Sequence, residues 1–175
     1  MAAVLVFSGI AAHAQMDPNV GGAAMYPNKN IVQNAVNSKD HTTLVAAVKA
    51  AGLVDTLEGP GPFTVFAPTN EAFEKLPAGT VDTLLKPENK GQLVKILTYH
   101  VVASRLTTKD LKEKIKMGHG KAMLKTVEGG TLTASMKHGK IMLTDEKGDM
   151  STVTIPNVYQ SNGMIQVVDT VLLPN

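Results

Sequence analysis

The sequence contains no cysteine and no tryptophan, and only 4% of its 175 residues are aromatic. Without cysteine the chain cannot form disulfides, thiolate metal sites, a cysteine nucleophile or a lipid anchor attached to cysteine. With so few aromatic rings, stacking platforms for nucleic-acid bases or sugars are scarce. The formal net charge of +2 is too small to indicate nucleic acid as a general partner. A chain of this length is predicted to form one folded domain.

Sequence signatures of common catalytic sites are also missing. There is no Gly-x-Ser-x-Gly nucleophile elbow, no His-Glu-x-x-His zinc motif and no phosphate-binding loop. Gly118 to Lys121 resembles part of a phosphate loop but lacks the spacing and the serine or threonine that follows. Asp145, Glu146 and Asp149 lack the spacing of a calcium loop, and we interpret them as a solvated hairpin turn. We therefore expect a protein that is not an enzyme and carries no cofactor.

The N-terminal residues have the pattern of an export signal. Ala2 to Ala12 is apolar apart from one serine, and Ala12-His13-Ala14 has the small-x-small form of a signal-peptidase site. The apolar run is too short to span a bilayer as a permanent helix. No Lys or Arg precedes it, and a buried N-terminal helix is the alternative. These features predict a secreted or periplasmic protein with three parts: a signal peptide over residues 1–14, a flexible linker over 15–29 and a folded domain over 30–175.

Helix and strand patterns divide the folded part into two halves. Apolar residues recur at helical spacing from Ile31 to Ile115, where Asp40 is a predicted N-cap and Gly52 a predicted helix end. Strand-like runs separated by glycine-containing turns follow, at Ala122–Val127, Thr131–Lys137, Lys140–Thr144, Thr152–Val158 and Met164–Leu172. Helices followed by strands predict an α+β fold rather than a doubly wound sheet.

One stretch, Gly61 to Phe73, predicts a strand, a turn and a helix in succession. Residues alternate between two largely apolar faces from Phe63 to Ala67, which indicates a strand covered on both sides. Pro68 has no backbone N–H and would end the strand, and Thr69 or Asn70 would cap the helix that follows. The stretch therefore predicts a rigid corner between a sheet and a helix.

Three motifs together resemble those of a fasciclin-like domain: Gly61 to Phe73, Tyr99-His100, and Asn162 to Pro174. The resemblance runs from about Asn30 to Pro174 and is to single-domain, secreted members of bacterial type. It implies a wedge-shaped β-sandwich with helices packed along one edge, mainly helical in its N-terminal half and mainly stranded in its C-terminal half. It also implies a non-catalytic extracellular or periplasmic module for adhesion or contact with a cell surface, matrix or partner protein. We expect a monomer or a weak homo-oligomer.

The same resemblance implies partner-binding residues within the motifs: Asn70, Tyr99, His100, Gln166 and Asp169. The tyrosine–histidine pair is implicated in receptor binding in animal members of the family. A structural role is the alternative and the interpretation that we favour, because apolar residues flank the pair and Tyr99 would then bury its ring with a hydrogen-bonded hydroxyl. Family members commonly place histidine at the position of Gln166. An amide there can still donate and accept hydrogen bonds, but it cannot titrate or bind a metal as imidazole does.

A basic run is a further candidate, and its members are Lys109, Lys112, Lys114, Lys116, Lys121 and Lys125. Asp110 and Glu113 are the only acidic residues between Lys109 and Lys125. Such a run could attract polyanions such as acidic glycans. The solvated face of an amphipathic helix is the alternative and the interpretation that we favour.

Methionine and histidine are concentrated in one short stretch, at Met117, His119, Met123, Met136, His138 and Met142. Thioether and imidazole ligands suit copper in an oxidising compartment, so a periplasmic soft-metal (copper) carrier is the alternative function. Methionine is also an ordinary core filler, and strand alternation would bury several of these side chains. We favour the core-filling interpretation.

Overall fold

The computed structural model describes residues 17–175, and the predicted signal peptide lies outside them. The described residues form seven α-helices and nine β-strands. The helices are α1 (Ile31–Ala35), α2 (Thr42–Ala51), α3 (Val54–Glu58), α4 (Asn70–Glu74), α5 (Thr80–Leu84), α6 (Lys90–Tyr99) and α7 (Thr108–Met117). The strands are β1 (Asn19–Val20), β2 (Ala23–Ala24), β3 (Phe63–Pro68), β4 (Val101–Val102), β5 (Lys121–Lys125), β6 (Thr131–Lys137), β7 (Lys140–Thr144), β8 (Met150–Gln160) and β9 (Gly163–Val168). The predicted α+β fold, helical first and stranded afterwards, is confirmed.

Seven strands form one mixed sheet in the order β4-β3-β9-β8-β7-β6-β5. Strands β3 and β9 run parallel, with Phe63 opposite Gly163, and every other pair in this sheet is antiparallel. Just beyond β5, the N–H of Val127 donates to the carbonyl of Val101 in β4 at 2.8 Å. The two ends of the sheet therefore meet, and the sheet is nearly closed.

Two apolar cores lie on opposite faces of β3. Val65 and Ala67 belong to the core beneath the N-terminal helices, whereas Phe66 belongs to the core enclosed by the curved sheet and α7. The prediction that this strand is covered on both sides is confirmed. Burial of two faces explains why the strand lacks the polar–apolar alternation of a half-solvated strand.

The segment before α1 differs from the predicted linker. Strands β1 and β2 pair in its described part, and Val20 and Met25 are buried in the core beneath the helices. The Asn34 amide anchors this segment, since it accepts from the N–H of Tyr26 at 3.0 Å and donates to the carbonyl of Tyr26 at 2.8 Å. Composition rich in glycine and proline predicted little order, but two apolar residues and one buried amide fix the segment onto the domain.

The observed helix ends agree in part with the capping residues that the sequence predicted. Gly52 ends α2 in the left-handed conformation at φ 71°, and the Thr69 hydroxyl caps α4. Asp40 does not cap α2 as predicted: it lies in a short 3-10 turn, and the side chain of Asn70 accepts from the N–H of Thr43 instead. Helix α6 continues through Tyr99, the first residue of the tyrosine–histidine motif, and β4 begins directly after His100.

The strands of the C-terminal half match three predicted runs closely and two loosely. Strands β6 and β7 have the predicted bounds, and β5 is shifted by one or two residues. Strand β8 is longer than predicted, and its register with β9 is interrupted twice between Val153 and Val158. Strand β9 ends at Val168 rather than Leu172, because a bend follows at Asp169.

Candidate functional site

Tyr99 is completely buried at the end of α6. Its hydroxyl donates to the carbonyl of Thr131 at 2.8 Å and accepts from the N–H of Glu146 at 3.1 Å. Burial raises the pKa of Tyr99 to about 12, so the hydroxyl keeps its proton and remains a donor. The side chain joins the end of a helix to the first residue of β6 and to the turn between β7 and β8.

His100 is buried beside it and has a partner on each ring nitrogen. Nε2 accepts from the N–H of Leu172 at 3.0 Å, and Nδ1 lies 2.9 Å from the carbonyl of Ile96. Because a backbone N–H can only donate and a carbonyl can only accept, the proton must sit on Nδ1 and the ring must be neutral. Burial lowers the pKa of His100 to about 4, which agrees with that protonation state.

Gln166 is buried at the centre of β9, and its amide links three segments. Oε1 accepts from the N–H of Asn157 at 2.9 Å, and Nε2 donates to the carbonyl of Leu106 at 2.9 Å. The amide therefore makes the hydrogen bonds that a neutral histidine could make, one as donor and one as acceptor. Its burial is incompatible with direct contact to a partner in this conformation.

Replacement of Gln166 by Leu is expected to lower the free energy of unfolding by about 1–3 kcal/mol. The leucine would fill similar space but leave the Asn157 N–H and the Leu106 carbonyl buried without partners. Urea unfolding at neutral pH measures the effect. The matched control is Gln92→Leu, an identical change at an exposed position of α6, which should stay within about 0.5 kcal/mol of wild type. Equal stability of the two variants would contradict the structural role of Gln166.

The other two predicted partner-binding residues are half-buried, and their side chains are already hydrogen-bonded to backbone groups of the protein. The Asn70 side chain accepts from the N–H of Thr43 at 3.0 Å and donates to the carbonyl of Lys39 at 2.8 Å. The Asp169 carboxylate accepts from the N–H of Thr152 at 2.8 Å. Both side chains therefore stabilise neighbouring backbone, Asn70 at the start of α2 and Asp169 beside β8.

These five residues do not come together as a surface site. Tyr99, His100 and Gln166 are inside the protein, so the prediction that they contact a partner directly does not fit the structure. Buried polar groups are tolerated only when they are hydrogen-bonded, and each of these is. The motifs that carry the family resemblance therefore describe how the domain is held together.

Asp145 belongs to the same structural network, although the sequence indicated a solvated turn. Its carboxylate is buried and accepts from the N–H groups of Lys147 at 3.0 Å, Asp149 at 2.9 Å and Leu173 at 2.9 Å. The first two bonds form an Asx turn, for which the Asp-x-x-Gly spacing is a local signal. The third bond could not be foreseen, because it joins residues 28 positions apart.

The six lysines of the basic run are all exposed, in α7 and β5. Within the described residues, the one ion pair joins Lys95 and Glu128 at 4.0 Å and involves none of them. Hydrogen bonds from Thr107 occupy the Asp110 carboxylate and hold its pKa below its usual range. The run therefore keeps a formal excess of positive charge, and none of its lysines forms an ion pair within the described residues.

The run does not form one surface, because α7 divides it. Leu111 and Ile115 mark the buried side of this helix. Successive residues rotate by about 100°, so Lys114 projects from the flank opposite to Lys112 and Lys116. Lys114 alone among the helix lysines lines a groove of about 530 Å³ between the end of α7 and β5. We call this the basic groove and define it by four of its lining residues, Lys114, Met117, Lys121 and Met123.

The methionine and histidine residues do not converge on a metal site. Met136 pairs with buried Ile141, whereas Met142 is the next residue along β7 and therefore lies on the opposite face of the sheet. His119 and His138 lie in separate turns. In residues 17–175, no three histidine or carboxylate side chains are grouped to hold a metal ion.

The core-filling interpretation is also wrong for three of the four methionines, because Met136 is exposed and two others are more so. Met117 is 81% exposed and Met123 is 78% exposed, and both line the basic groove. Met117 follows the last buried position of α7, and Met123 lies between buried Ala122 and Leu124 on the outer face of β5. Core packing therefore does not explain why methionine occupies these two positions.

A seven-stranded, nearly closed mixed sheet, with the N-terminal helices against one face and α7 against the other, defines a FAS1-type α+β module. The structure is similar to a FAS1 domain pair from the insect cell adhesion molecule Fasciclin I, with a TM-score of 0.73 and 21% sequence identity. The match covers 84% of this chain and 51% of that chain. At this low sequence identity, the structural match supports the assignment of the fold alone.

Sequence comparisons agree with the fold. A family model described as Fasciclin domain matches residues 39–174. Protein sll1483 of Synechocystis sp. is 47% identical over 155 residues, covering 89% of this chain and 79% of the relative. Cell surface glycolipoprotein MPB83 of Mycobacterium bovis is 35% identical over 182 residues, covering 99% of this chain and 74% of the relative. The chain belongs to the fasciclin domain family.

The helices of the described region are short. In residues 17–175, none has both the length and the apolar character that crossing a membrane would require.

Proposed function

We propose that the protein is a non-catalytic binding module that acts in the periplasm or outside the cell, in contact with a surface, matrix or partner protein. Membership of the fasciclin domain family over residues 39–174 is the observation that carries the proposal. A relative named as a cell surface glycolipoprotein and a similar fold in a cell adhesion molecule support it. The predicted signal peptide over residues 1–14 is consistent with that location.

The arrangement of potential catalytic groups supports a binding role rather than catalysis. Ser38 and His41 are hydrogen-bonded at 2.9 Å, the pairing that a serine nucleophile would need. Both are buried, however, beside an apolar cavity of about 40 Å³. Such a cavity has room for little more than a water molecule or two. His100 is likewise enclosed, with both ring nitrogens bound to backbone.

Binding must then use side chains that remain exposed. The family motifs contribute their polar atoms to internal hydrogen bonds, and they hold the helical half against the sheet. A rigid scaffold of this kind presents a surface with little ordering cost on binding. On the exposed surface of α7 and β5, lysines without ion pairs lie together with Met117 and Met123, the two most exposed large hydrophobic side chains of the described chain.

Binding of the fluorescently labelled domain to intact cells and to extracellular matrix tests this function. We expect saturable binding that excess unlabelled domain displaces. One domain binds monovalently, so presentation at high density on beads should raise retention strongly through avidity. The Tyr99→Ala variant, assayed above its own melting temperature, serves as the unfolded control. Absence of displaceable binding to every cell, periplasmic and matrix fraction would contradict the proposal.

A further inference from the structure

The positive charge of the protein is concentrated in residues 109–140. This segment holds eight of the 17 basic residues and three of the 15 acidic residues, which gives it a formal charge of +5. The remaining chain holds nine basic and 12 acidic residues, which gives −3. The overall charge of +2 therefore conceals a strong asymmetry, the kind that steers a protein towards an anionic partner.

The three acidic residues of the segment offset only part of its positive charge. Asp110 is occupied in the cap of α7, and Glu128 pairs with Lys95 and accepts from the N–H of Gly130 at 2.9 Å. Glu113 remains on the exposed side of α7. The Asp110 carboxylate interacts with Lys109 and Lys114, yet the segment keeps its formal excess of positive charge, and none of its lysines forms an ion pair in the described residues.

The outer face of the sheet adds three lysines to the basic groove. Lys125 follows Lys121 and Met123 on the same face of β5, by strand alternation. Lys137 and Lys140 lie directly opposite each other across the hairpin between β6 and β7. Like charges at directly opposed positions destabilise a sheet. We call the basic groove together with Lys125, Lys137 and Lys140 the basic face.

Exposed methionines distinguish this face from a simple polyanion site. Met117 and Met123 have the largest exposed fractions among the large hydrophobic residues of the described chain, and both lie among the lysines. A soluble acidic polysaccharide would be held chiefly by charge and does not require two highly exposed thioether side chains. A copper ion would be repelled by the surrounding lysines. A lipid bilayer with anionic headgroups matches both properties, since lysines hold the headgroups while apolar side chains enter the interface.

We propose that the basic face docks the domain peripherally on a lipid bilayer rich in anionic headgroups. Lys114, Lys121 and Lys125 contact lipid phosphates, and Met117 and Met123 enter the boundary between headgroups and acyl chains. Long lysine stems suit this position, because the charged end can stay in the headgroup layer while the methylenes lie deeper. The inference rests on the proposed binding function and identifies the surface and partner chemistry that serve it.

Co-sedimentation with vesicles at physiological salt tests the inference. We expect binding to vesicles of equal parts phosphatidylcholine and phosphatidylglycerol and none to phosphatidylcholine alone. The double variant Lys121→Gln/Lys125→Gln should weaken binding about 30-fold, because each lysine near an anionic surface contributes about fivefold. The double variant Met117→Ser/Met123→Ser should weaken it about tenfold through lost apolar burial.

The matched control is Lys112→Gln/Lys116→Gln, which removes the same charge from the opposite flank of α7. It should bind within about threefold of wild type, since only the diffuse field of the protein changes. Equal weakening by the two lysine pairs would overturn the proposal. So would absence of binding to the anionic vesicles.

A soluble polyanion separates the lipid from a glycan. If dextran sulfate binds as tightly as the vesicles and the methionine variant binds like wild type, the face recognises charge alone and the bilayer proposal is wrong. The cell-binding assay distinguishes failure of the bilayer-docking proposal from failure of the proposed binding function. Undiminished, displaceable attachment of the Lys121→Gln/Lys125→Gln variant to cells would refute the docking face while leaving the binding function intact.

Discussion

Replacement of Tyr99 by Ala is expected to lower the free energy of unfolding by about 3–5 kcal/mol. The ring is completely buried in the core enclosed by the sheet and α7, so its removal leaves a cavity that neighbouring side chains can fill only in part. Its hydroxyl also satisfies the carbonyl of Thr131 and the N–H of Glu146. A loss of this size is a large share of the stability of a typical domain. Urea unfolding at neutral pH measures it.

Tyr99→Phe isolates the hydroxyl and should lower the free energy of unfolding by about 1–3 kcal/mol, because the buried partners lose their hydrogen bonds. The matched control is Tyr159→Phe, which removes a hydroxyl from an exposed ring on β8 and should change stability by less than about 0.5 kcal/mol. If the two phenylalanine variants were equally stable, the Tyr99 hydroxyl would not be the internal link that the geometry describes.

Acid is expected to destabilise the domain through His100. The folded state holds the pKa of this residue at about 4, against the ordinary 6.5 of an exposed imidazole. As the pH falls below 6.5, the unfolded chain takes up a proton that the folded state excludes, so stability declines with falling pH. The slope from this group approaches about 1.4 kcal/mol per pH unit, and the decline continues until the pH reaches about 4.

Burial sets that sign, because it lowers the pKa of His100. The hydrogen bond to the Ile96 carbonyl and the charge of the Asp145 carboxylate both raise this pKa, but they do not overcome the effect of burial. Burial also lowers the pKa of His41, which adds to the loss of stability in the same direction. Urea unfolding across the acid range measures the slope, and His100→Gln should reduce it.

The protonation state of the His100 ring can also be measured directly. Nitrogen chemical shifts should show the neutral tautomer with its proton on Nδ1 at pH 5, where an exposed histidine is mostly charged. A charged His100 ring at that pH in the folded protein would contradict the assignment.

Much of the fold could be predicted because its signals are local. Residue alternation from Phe63 to Ala67 predicted a strand with two buried faces, and the structure places Val65 and Phe66 in different cores. Thr107 and Asp110, three residues apart, form a capping box at the start of α7. These features depend on neighbours within a few residues, which the sequence displays directly.

The features that the sequence did not predict depend on contacts between residues far apart in the chain. The start of α2 is capped by Asn70, which lies 27 positions beyond the Thr43 N–H that it binds. The segment before α1 is held by buried Val20 and Met25 and by Asn34, although its composition predicted a linker. Local propensity cannot reveal partners that come from another part of the chain.

The candidate site shows the same limit. Sequence patterns singled out Tyr99, His100 and Gln166, but they could not show how deeply these polar side chains lie. The backbone partner that fixes the His100 tautomer is 72 residues away. The basic run was visible as composition, whereas its division between two flanks of α7 and the exposure of Met117 and Met123 required the structure.

The central claim is that the family motifs hold the domain together and that the basic face does the binding. Cell attachment measured side by side for wild type, Tyr99→Phe and Lys121→Gln/Lys125→Gln, all well below their melting temperatures, tests it most directly. The account predicts that Tyr99→Phe attaches like wild type despite its lower stability, while the lysine variant loses attachment despite unchanged stability. Loss of attachment in Tyr99→Phe, or wild-type attachment of the lysine variant, would contradict it.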